Sequence, residues 1–224
     1  MHKPYVSIII PTFNEAKNIG PLLDGIREVM EGYAYEVIVV DKHSPDGTAS
    51  IAAGKGAKVF YDDNGKGSAL KLGFKKASGE IIVSMDADLS HRPLELKLLI
   101  AGVEAGYDIC MGSRFLIGGG SDDLPLYRRF GNKAFVMLVN ALYGAHYSDL
   151  CYGYRSFRKN TIKSLGLKSD GFGIETEINI KAVKANLRVI EVPSYEKKRS
   201  AGEGKLRSLR DGYVILKTIL LNLK

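Results

Sequence analysis

The chain has 224 residues, of which 45% are hydrophobic and 25% are charged, a balance that excludes a disordered chain and fits one large domain. Its two cysteines are too few for a disulfide scaffold and form no CxxC pair. No cysteine metal site is therefore expected, and a reducing compartment is the expected location. The net charge of +7 is concentrated in residues 196–210, where six Lys or Arg accompany two Glu; this predicts an anionic partner, unless the run is a solvated surface.

The first half of the chain alternates predicted strands with predicted helices. Short apolar, β-branched runs indicate the strands, and apolar residues at helical spacing indicate the helices. Strands are expected at 5–10, 36–40, 57–61, 80–85 and 109–112, and helices at 18–31, 48–54, 68–77 and 93–104. This order is typical of a parallel, doubly wound α/β sheet, which binds ligands at the carboxyl ends of its strands.

The second half is less regular. A loop is expected at 116–125 and a polar, basic loop at 194–206, with helices at 127–143, 174–186 and 207–222 and strands at 152–157 and 187–192. The apolar stretch 213–223 has only 11 residues, too few for a bilayer, which needs about 20 helical residues. It is expected to lie at a membrane interface or to pack on the domain.

Polar side chains follow the first three predicted strands. Residues 11–15 and 41–48 can bind a base and a ribose, or they can simply cap the helices that follow, through Asn14 or Ser44. Lys66 stands between two glycines at the start of the third helix, where backbone and charge favour a phosphate. The alternative for this glycine-rich segment is an ordinary turn.

Two carboxylates, Asp86 and Asp88, directly follow a buried strand. In an extended chain, residues at i and i+2 project to one side, so these carboxylates repel each other unless a cation lies beside them. Mg²⁺ takes a few carboxylates and completes its shell with phosphate oxygens, and it stabilises charge on a diphosphate leaving group. The pair therefore predicts a metal and diphosphate site, with an acidic turn as the alternative.

These motifs, in this order, resemble the family 2 glycosyltransferases of the GT-A fold, and most of all the branch that acts on dolichyl or polyprenyl phosphate. The matching segments are 7–15 (Ser-Ile-Ile-Ile-Pro-Thr-Phe-Asn-Glu), 40–48, 65–74, 85–91, 112–114, 128–129, 153–155, 175–177, 191–193 and 199–206. The resemblance implies an α/β, Rossmann-like, mostly parallel sheet flanked by helices, with a C-terminal acceptor-side region. It implies a nucleotide-sugar-binding half at 1–112, an acceptor-binding half at 113–206 and a C-terminal amphipathic helix at 207–224.

The resemblance also implies roles for single residues. Donor-binding positions are Pro11, Asn14, Glu15, Asp41, Lys66 and Asp86; the metal positions, for Mg²⁺ or Mn²⁺, are Asp86 and Asp88; the catalytic positions are Asp88, Arg114, Arg129 and Arg199; the acceptor-binding positions are Arg114, Arg129, Arg199 and Lys205. Two positions depart from the family pattern. Lys42 stands where an acid is usual, and Ser90 stands where members of the mannosyl branch often have Gln.

The expected reaction is inverting transfer of a hexose from a GDP-mannose or UDP-glucose type donor to a polyprenyl phosphate. A hydroxyl acceptor needs a general base, and no acidic pair after residue 88 is a convincing one, whereas a phosphate monoester is already an anion at neutral pH. Transfer to a saccharide hydroxyl, with Glu175 or Glu177 as base, remains the alternative.

A nucleotide-binding or nucleic-acid-binding module is a further alternative. Nucleic acid is not expected as a partner, because Tyr195 alone accompanies the basic run and bases stack on several aromatics. The basic run next to an apolar segment is instead the pattern of a protein on an anionic membrane. No signal peptide is recognisable at the start, so the expected place is the cytoplasm, peripheral at the cytoplasmic face of the membrane.

Overall fold

The computed structural model describes residues 3–200 and 208–223 and contains one seven-stranded sheet covered by helices. The strands lie in the order β3-β2-β1-β4-β7-β5-β8. Their bounds are β1 Val6–Thr12, β2 Tyr35–Asp41, β3 Lys58–Tyr61, β4 Ile81–Ser84, β5 Ile109–Ser113, β7 Arg155–Arg158 and β8 Val189–Pro193. The predicted α/β class with a mostly parallel sheet is confirmed.

The helices of the first half lie close to their predicted positions. They are α1 Ala16–Val29, α2 Thr48–Gly54, α3 Lys66–Lys76 and α4 Leu96–Glu104, the last preceded by a 3-10 turn at Pro93–Glu95. Alternate residues of each strand enter different cores: Ile8 and Ile10 of β1 face one apolar cluster, while Ile9 faces the other. Because helices cover both faces of the sheet, the strands read as continuous apolar runs.

Strand β7 is the antiparallel member of this mostly parallel sheet. It lies between β4 and β5 and runs antiparallel to both, whereas the other pairings in the sheet are parallel. The apolar pattern of a strand does not encode its direction, which depends on where the preceding connection returns. Through β7, the second half of the chain enters the middle of the sheet built by the first.

The structure adds three elements that the sequence did not predict. Strands β6 (Gly120–Ser121) and β9 (Tyr195–Glu196) pair with each other inside the two segments expected to be loops, and α6 (Lys159–Ser164) follows β7. Two-residue strands carry too little pattern to recognise. Their pairing brings the segment after β5 against the segment after β8, at the carboxyl edge of the sheet.

The remaining helices are α5 (Leu126–Tyr143), α7 (Ile174–Lys184) and α8 (Ser208–Leu221), which share one apolar core beside the sheet. The C-terminal helix expected at 207–222 is thus present as α8. In the part of the chain that the structure describes, none of the helices combines the length and the apolar character needed to cross a membrane.

Candidate active site

The carboxyl ends of β1, β2 and β4 form the edge on which the predicted site residues lie. Three non-glycine residues just beyond these strands, Asn14, His43 and Leu89, have positive φ angles of 56°, 46° and 64°. Such angles are uncommon outside glycine and cost about 1–3 kcal/mol each, so the surrounding contacts must hold them. Strained loops at the ends of neighbouring strands are typical of a ligand site.

Asp86 lies at the centre of this edge. Its Oδ1 is 2.7 Å from Nζ of Lys66, which comes from the first turn of α3. Burial alone raises the pKa of Asp86, but the ammonium group of Lys66 outweighs burial and brings the pKa down to about 2. Asp86 is therefore a carboxylate at any physiological pH.

His91 fixes the backbone of Asp86, a contact that the sequence analysis did not assign. The backbone N–H of Asp86 donates to Nδ1 of His91 over 3.0 Å, so the ring proton lies on Nε2. The ring stacks on Tyr154 with centroids 4.7 Å apart and meets Tyr152 edge-on at 4.8 Å. Burial lowers the pKa of His91 and keeps it neutral, although the acids Asp86 and Asp88 oppose this.

Asp88 is buried and is held by a neighbouring backbone group and by an arginine that is distant in sequence. Its Oδ1 accepts the backbone N–H of Ser90 at 3.0 Å, and its Oδ2 lies 2.8 Å from Nη2 of Arg199. The segment that carries Arg199 runs over the turn, because the backbone N–H of Lys197 donates to the carbonyl of Ser90 at 2.9 Å. Arg199 also comes within 4.0 Å of Glu15, so three predicted site residues meet here.

The two carboxylates have the chemistry that a hard divalent cation requires. Mg²⁺ is usually bound by one or two carboxylates, with waters and phosphate oxygens completing its shell. Gly153 lies directly against the ion pair of Asp86 and Lys66: a Cβ there would lie 3.0 Å from Nζ of Lys66 and 3.5 Å from both carboxylate oxygens of Asp86. Asp86 and Asp88 therefore fit Mg²⁺ or Mn²⁺ bound together with a diphosphate.

The glycines around Lys66 serve the protein backbone, which differs from the expected role of admitting a phosphate. A Cβ on Gly67 would lie 2.5 Å from the carbonyl oxygen of Ser169, and one on Gly65 would lie 2.8 Å from that of Asp170. The same Asp170 carbonyl accepts the backbone N–H of Ser68 at the start of α3. The loop at 169–171 thus packs against the start of α3. Of the features expected to bind a phosphate there, the positive charge of Lys66 is the one still available to a ligand.

Asp41 ends β2, and the carboxylate that is expected to contact the nucleotide is hydrogen-bonded to protein groups. Its side chain is fully buried; Oδ1 accepts the hydroxyls of Thr12 and Ser44, and Oδ2 accepts the backbone N–H of Ser44, each at 2.7 Å. Ser44 in turn accepts the backbone N–H of Asn14 at 2.9 Å. Asp41 therefore holds together the loops after β1 and β2, and we propose that it positions the nucleotide pocket without touching the ligand.

The other donor-binding candidates line the same edge. Pro11 is half-buried near the end of β1, Asn14 is exposed, and Glu15 is buried with its carboxylate accepting the amide of Asn18 at 2.7 Å. The alternative role of Asn14 as a helix cap is not supported. The N-cap residue of α1 is Glu15, and no side-chain hydrogen bond caps this helix. Their role in donor binding stays a prediction.

Arg114 is buried in an ion-pair cluster. Its Nε and Nη2 contact the two oxygens of Asp149 at 2.7 and 3.0 Å, and its Nη1 contacts Glu196 at 3.1 Å. Asp149 is fully buried, and Glu196 belongs to β9. This geometry differs from an arginine presented to an acceptor phosphate; we propose that Arg114 instead anchors β9 and, beyond it, the segment that carries Arg199.

The remaining basic candidates are less closely tied to the carboxylates. Arg129 is exposed on the first turn of α5, and Lys205 lies outside the described residues. The neighbouring Arg128 is half-buried and acts on Asp123: burial and then Glu196 raise the pKa of Asp123, while Arg199 and Arg128 lower it. Adjacent residues on a helix face different sides, and the sequence does not show which side of α5 faces the site. Sequence spacing therefore did not distinguish Arg128 from Arg129.

Two buried acids of α7 have different roles. Glu175 lies 2.9 Å from Nζ of Lys66 and so faces the site. Glu177 accepts the backbone N–H groups of Lys168 and Ser169 at 2.7–3.1 Å and pairs with Lys181. Glu177 therefore secures the loop that precedes α7, whereas Glu175 shares the ammonium group of Lys66 with Asp86.

Comparison with known proteins finds relatives that align with most of this chain. A dolichol-phosphate mannosyltransferase of Pyrococcus furiosus is 37% identical over 210 residues, which are 90% of this chain and 59% of the relative, so the chain spans less than two thirds of that protein. An undecaprenyl-phosphate mannosyltransferase of Micrococcus luteus is 30% identical over 214 residues, 90% of this chain and 87% of the relative.

The fold has a close counterpart among solved structures. It is glucosyl-3-phosphoglycerate synthase from Mycobacterium tuberculosis in complex with Mn²⁺, UDP and glucosyl-3-phosphoglycerate. The two structures superpose with a TM-score of 0.77 at 22% sequence identity, and the match covers 98% of this chain and 80% of the synthase chain. This likeness shows the GT-A fold. Residues 7–166 match the family described as glycosyl transferase family 2, and the chain therefore belongs to the family 2 glycosyltransferases.

Proposed function

We propose that the protein is a metal-dependent, inverting glycosyltransferase that moves a hexose from a nucleotide-sugar to a polyprenyl phosphate. The observation that carries the proposal is the pair Asp86 and Asp88 at the carboxyl edge of the sheet, flanked by Lys66 at 2.7 Å and Arg199 at 2.8 Å. Two carboxylates beside two fixed cations match a diphosphate bound through a divalent ion. The polyprenyl-phosphate mannosyltransferases among the relatives support the same acceptor class.

In this proposal Asp86 and Asp88 hold the cation, and the cation supplies neutralisation of the charge that builds up on the leaving diphosphate. Lys66 and Arg199 add fixed positive charge on either side of the pair. The acceptor phosphate attacks the anomeric carbon from the face opposite the leaving group, so the configuration inverts. The division into a donor half at 1–112 and an acceptor half at 113–206 belongs to the same proposal.

An acceptor phosphate needs no general base, and the two carboxylates considered as bases are already bound to other protein groups. Glu177 is committed to the backbone of residues 168 and 169, and Glu175 is paired with Lys66. One observation favours a hydroxyl acceptor instead. Asp123 lies in the segment that pairs with β9, and burial raises its pKa, as suits a general base. Transfer to a hydroxyl with Asp123 as base is therefore the second candidate.

A matched pair of acceptors separates the two candidates. Polyprenyl phosphate and the corresponding free polyprenol differ only in the phosphate, and each is offered with GDP-mannose, UDP-glucose or UDP-N-acetylglucosamine, with and without Mg²⁺ or Mn²⁺. We expect metal-dependent transfer to the phosphate only, inverted at the anomeric carbon, and unchanged to within about threefold in Asp123→Asn, since a residue outside the transition state alters its free energy little. Transfer to polyprenol or a saccharide that Asp123→Asn abolishes would establish the second candidate.

The outer faces of α5 and α8 support a position at a membrane surface. Leu126, Phe130 and Met137 form an exposed stripe on α5, and Tyr213 and Leu220 form one on α8, each 50–70% accessible. Apolar residues on the outside of a helix pair, next to a site for a lipid phosphate, are typical of interfacial binding.

The two helices run side by side in the same direction. Phe135 contacts the position of Gly212, and the hydroxyl of Tyr143 donates to the carbonyl of Ile219. Both helices turn their inner residues to the same core, so their outer stripes face away from it together. Exposed Arg129, Lys133 and Lys217 flank the stripes and suit anionic headgroups. A peripheral position at the cytoplasmic face is part of the proposal.

Vesicle sedimentation tests this surface. We expect the protein to bind vesicles of phosphatidylcholine with phosphatidylglycerol and to bind phosphatidylcholine alone at least about fivefold more weakly, since each basic group near an anionic surface contributes about 1 kcal/mol. Phe130→Ser combined with Leu220→Ser is expected to abolish binding. Leu98→Ser, at an exposed position on α4, is the control and is expected to bind like the wild type. Equal binding of all three proteins would refute the surface.

A further inference from the structure

The ammonium group of Lys66 lies between two acids from different parts of the chain. Its Nζ is 2.7 Å from Oδ1 of Asp86, which follows β4, and 2.9 Å from Oε1 of Glu175, in the first turn of α7. All three side chains are largely shielded from water, with 16% of the Lys66 side chain exposed. Burial lowers the pKa of Lys66, and the two acids more than reverse this, so the group is charged.

In this arrangement Lys66 competes for Asp86 with the metal ion that Asp86 is proposed to bind. A divalent ion on Asp86 and an ammonium group 2.7 Å from the same carboxylate repel each other, and the repulsion is strong where water is scarce. Arg199 stands in the same relation to Asp88, at 2.8 Å. Each carboxylate of the metal pair therefore already has a protein cation as its partner.

A diphosphate resolves this conflict because its oxygens accept from both protein cations. Lys66 and Arg199 can turn from the carboxylates to the phosphate oxygens, and the carboxylates are then free for the metal ion. Lys66 does not lose all its partners in this exchange, since Glu175 stays beside it. Without Glu175 the move would leave a buried ammonium group with no fixed acid, which is strongly unfavourable.

We propose that Lys66 makes metal binding conditional on the donor diphosphate, and that Glu175 is the positioning residue that keeps Lys66 in the site while Asp86 takes the metal. The proposal rests on the metal and diphosphate site of the proposed function and is independent of the acceptor. It assigns Glu175 a role in donor and metal binding, in place of the role of a base. The metal ion alone should bind weakly, and a nucleoside diphosphate should strengthen its binding.

Mn²⁺ binding without any acceptor tests the role of Lys66. Calorimetric or electron paramagnetic resonance titrations are made with Mn²⁺ alone and with UDP or GDP present. Lys66→Met is expected to bind Mn²⁺ alone about tenfold more tightly than the wild type, a change of about 1.4 kcal/mol, because the competing cation is gone. It is also expected to lose most of the strengthening by nucleotide. A purely structural role for Lys66 predicts weaker binding of Mn²⁺ alone.

The matched control for charge is Lys71→Met. Lys71 lies on the same helix but pairs with Asp170 at 2.6 Å, away from Asp86. Its replacement removes one positive charge from α3 and is expected to leave the Mn²⁺ affinity unchanged. If Lys66→Met bound Mn²⁺ alone no more tightly than Lys71→Met, the proposal would be overturned, even if sugar transfer to a polyprenyl phosphate were established.

Glu175→Gln provides a second variant with the opposite sign. With Glu175 neutral, Lys66 depends on Asp86 alone, and Mn²⁺ alone is expected to bind about tenfold more weakly than to the wild type. Glu177→Gln is the control on the same helical turn: it is expected to lower the melting temperature, because Glu177 holds the backbone of Ser169, and to keep the wild-type Mn²⁺ affinity. Unchanged or tighter Mn²⁺ binding by Glu175→Gln would refute the role of Glu175.

Discussion

Replacing Asp88 by alanine is expected to reduce sugar transfer by about a thousandfold or more while leaving the fold intact. The carboxylate is one of the two proposed metal ligands, and losing stabilisation of a leaving diphosphate by several kcal/mol costs at least that factor in rate. Transfer is measured with the donor that the panel identifies, in buffers of fixed free Mg²⁺ or Mn²⁺, and folding is checked by thermal melting.

Two further variants make the Asp88 result specific. Asp88→Asn keeps the size of the side chain and an oxygen for the backbone N–H of Ser90, and it is expected to lose activity nearly as severely because the charge is gone. Asp24→Ala removes an exposed acid that pairs with Lys55 on the far surface and is expected to retain full activity. Wild-type turnover by Asp88→Ala at buffered metal concentration would show that the metal site has been placed wrongly.

Replacing Arg199 by alanine is expected to have the second largest effect, a loss of about 100- to 1000-fold in kcat/KM, as for the removal of one fixed donor to a developing charge. Arg199 is the basic side chain that contacts Asp88, and it also approaches Glu15 in the donor region. Arg199→Lys is expected to recover only part of the activity, since a single ammonium group cannot contact two partners in the plane of a guanidinium.

Kinetic constants for each substrate show which phosphate Arg199 meets. A rise in the KM for the donor indicates the diphosphate, a rise in the KM for the lipid indicates the acceptor, and a fall in kcat alone indicates contact only in the transition state. Arg188→Ala is the control, because Arg188 is exposed, pairs with Asp108 at 3.9 Å and precedes β8, at the end of that strand opposite the site. If Arg199→Ala were as active as Arg188→Ala, Arg199 would have no part in the reaction.

Arg199 and Arg114 show how much of the site could be predicted from the sequence. Both were identified as cations for a phosphate, because an arginine after a strand in a family motif has that role often. Arg199 lies against Asp88, whereas Arg114 is enclosed by Asp149 and Glu196. Nothing near either residue in the sequence distinguishes the two cases, since their partners come from distant segments.

The same limit applies to Gly67 and Asp41. Glycine beside a lysine at a helix start predicts room for a phosphate, but the room at Gly67 is filled by the backbone of the loop at 169–171. Asp41 ends its strand where a ligand contact is usual, but Thr12 and Ser44 use its oxygens. The residue types were informative, but the identity of the approaching group was decided by chain segments far away in sequence.

The local sequence by itself determined the class of fold, the positions of β1 to β5 and of α1 to α4, and the acidic pair Asp86 and Asp88 that we propose as metal ligands. These features depend on short-range patterns, namely apolar runs, helical spacing and two acids directly after a buried strand, and such patterns survive any arrangement of the remaining chain. The C-terminal helix α8 was recognisable for the same reason.

Only the tertiary structure decided the direction of β7, the pairing of β6 with β9, and the choice of cation beside each carboxylate. Strand direction follows from how a long connection returns to the sheet, and an ion pair between Lys66 and Glu175 or between Asp88 and Arg199 exists only once distant segments have packed. Two acids directly after a buried strand are visible in the sequence, whereas the cations that pair with them, Lys66 and Arg199, are identified only by the fold.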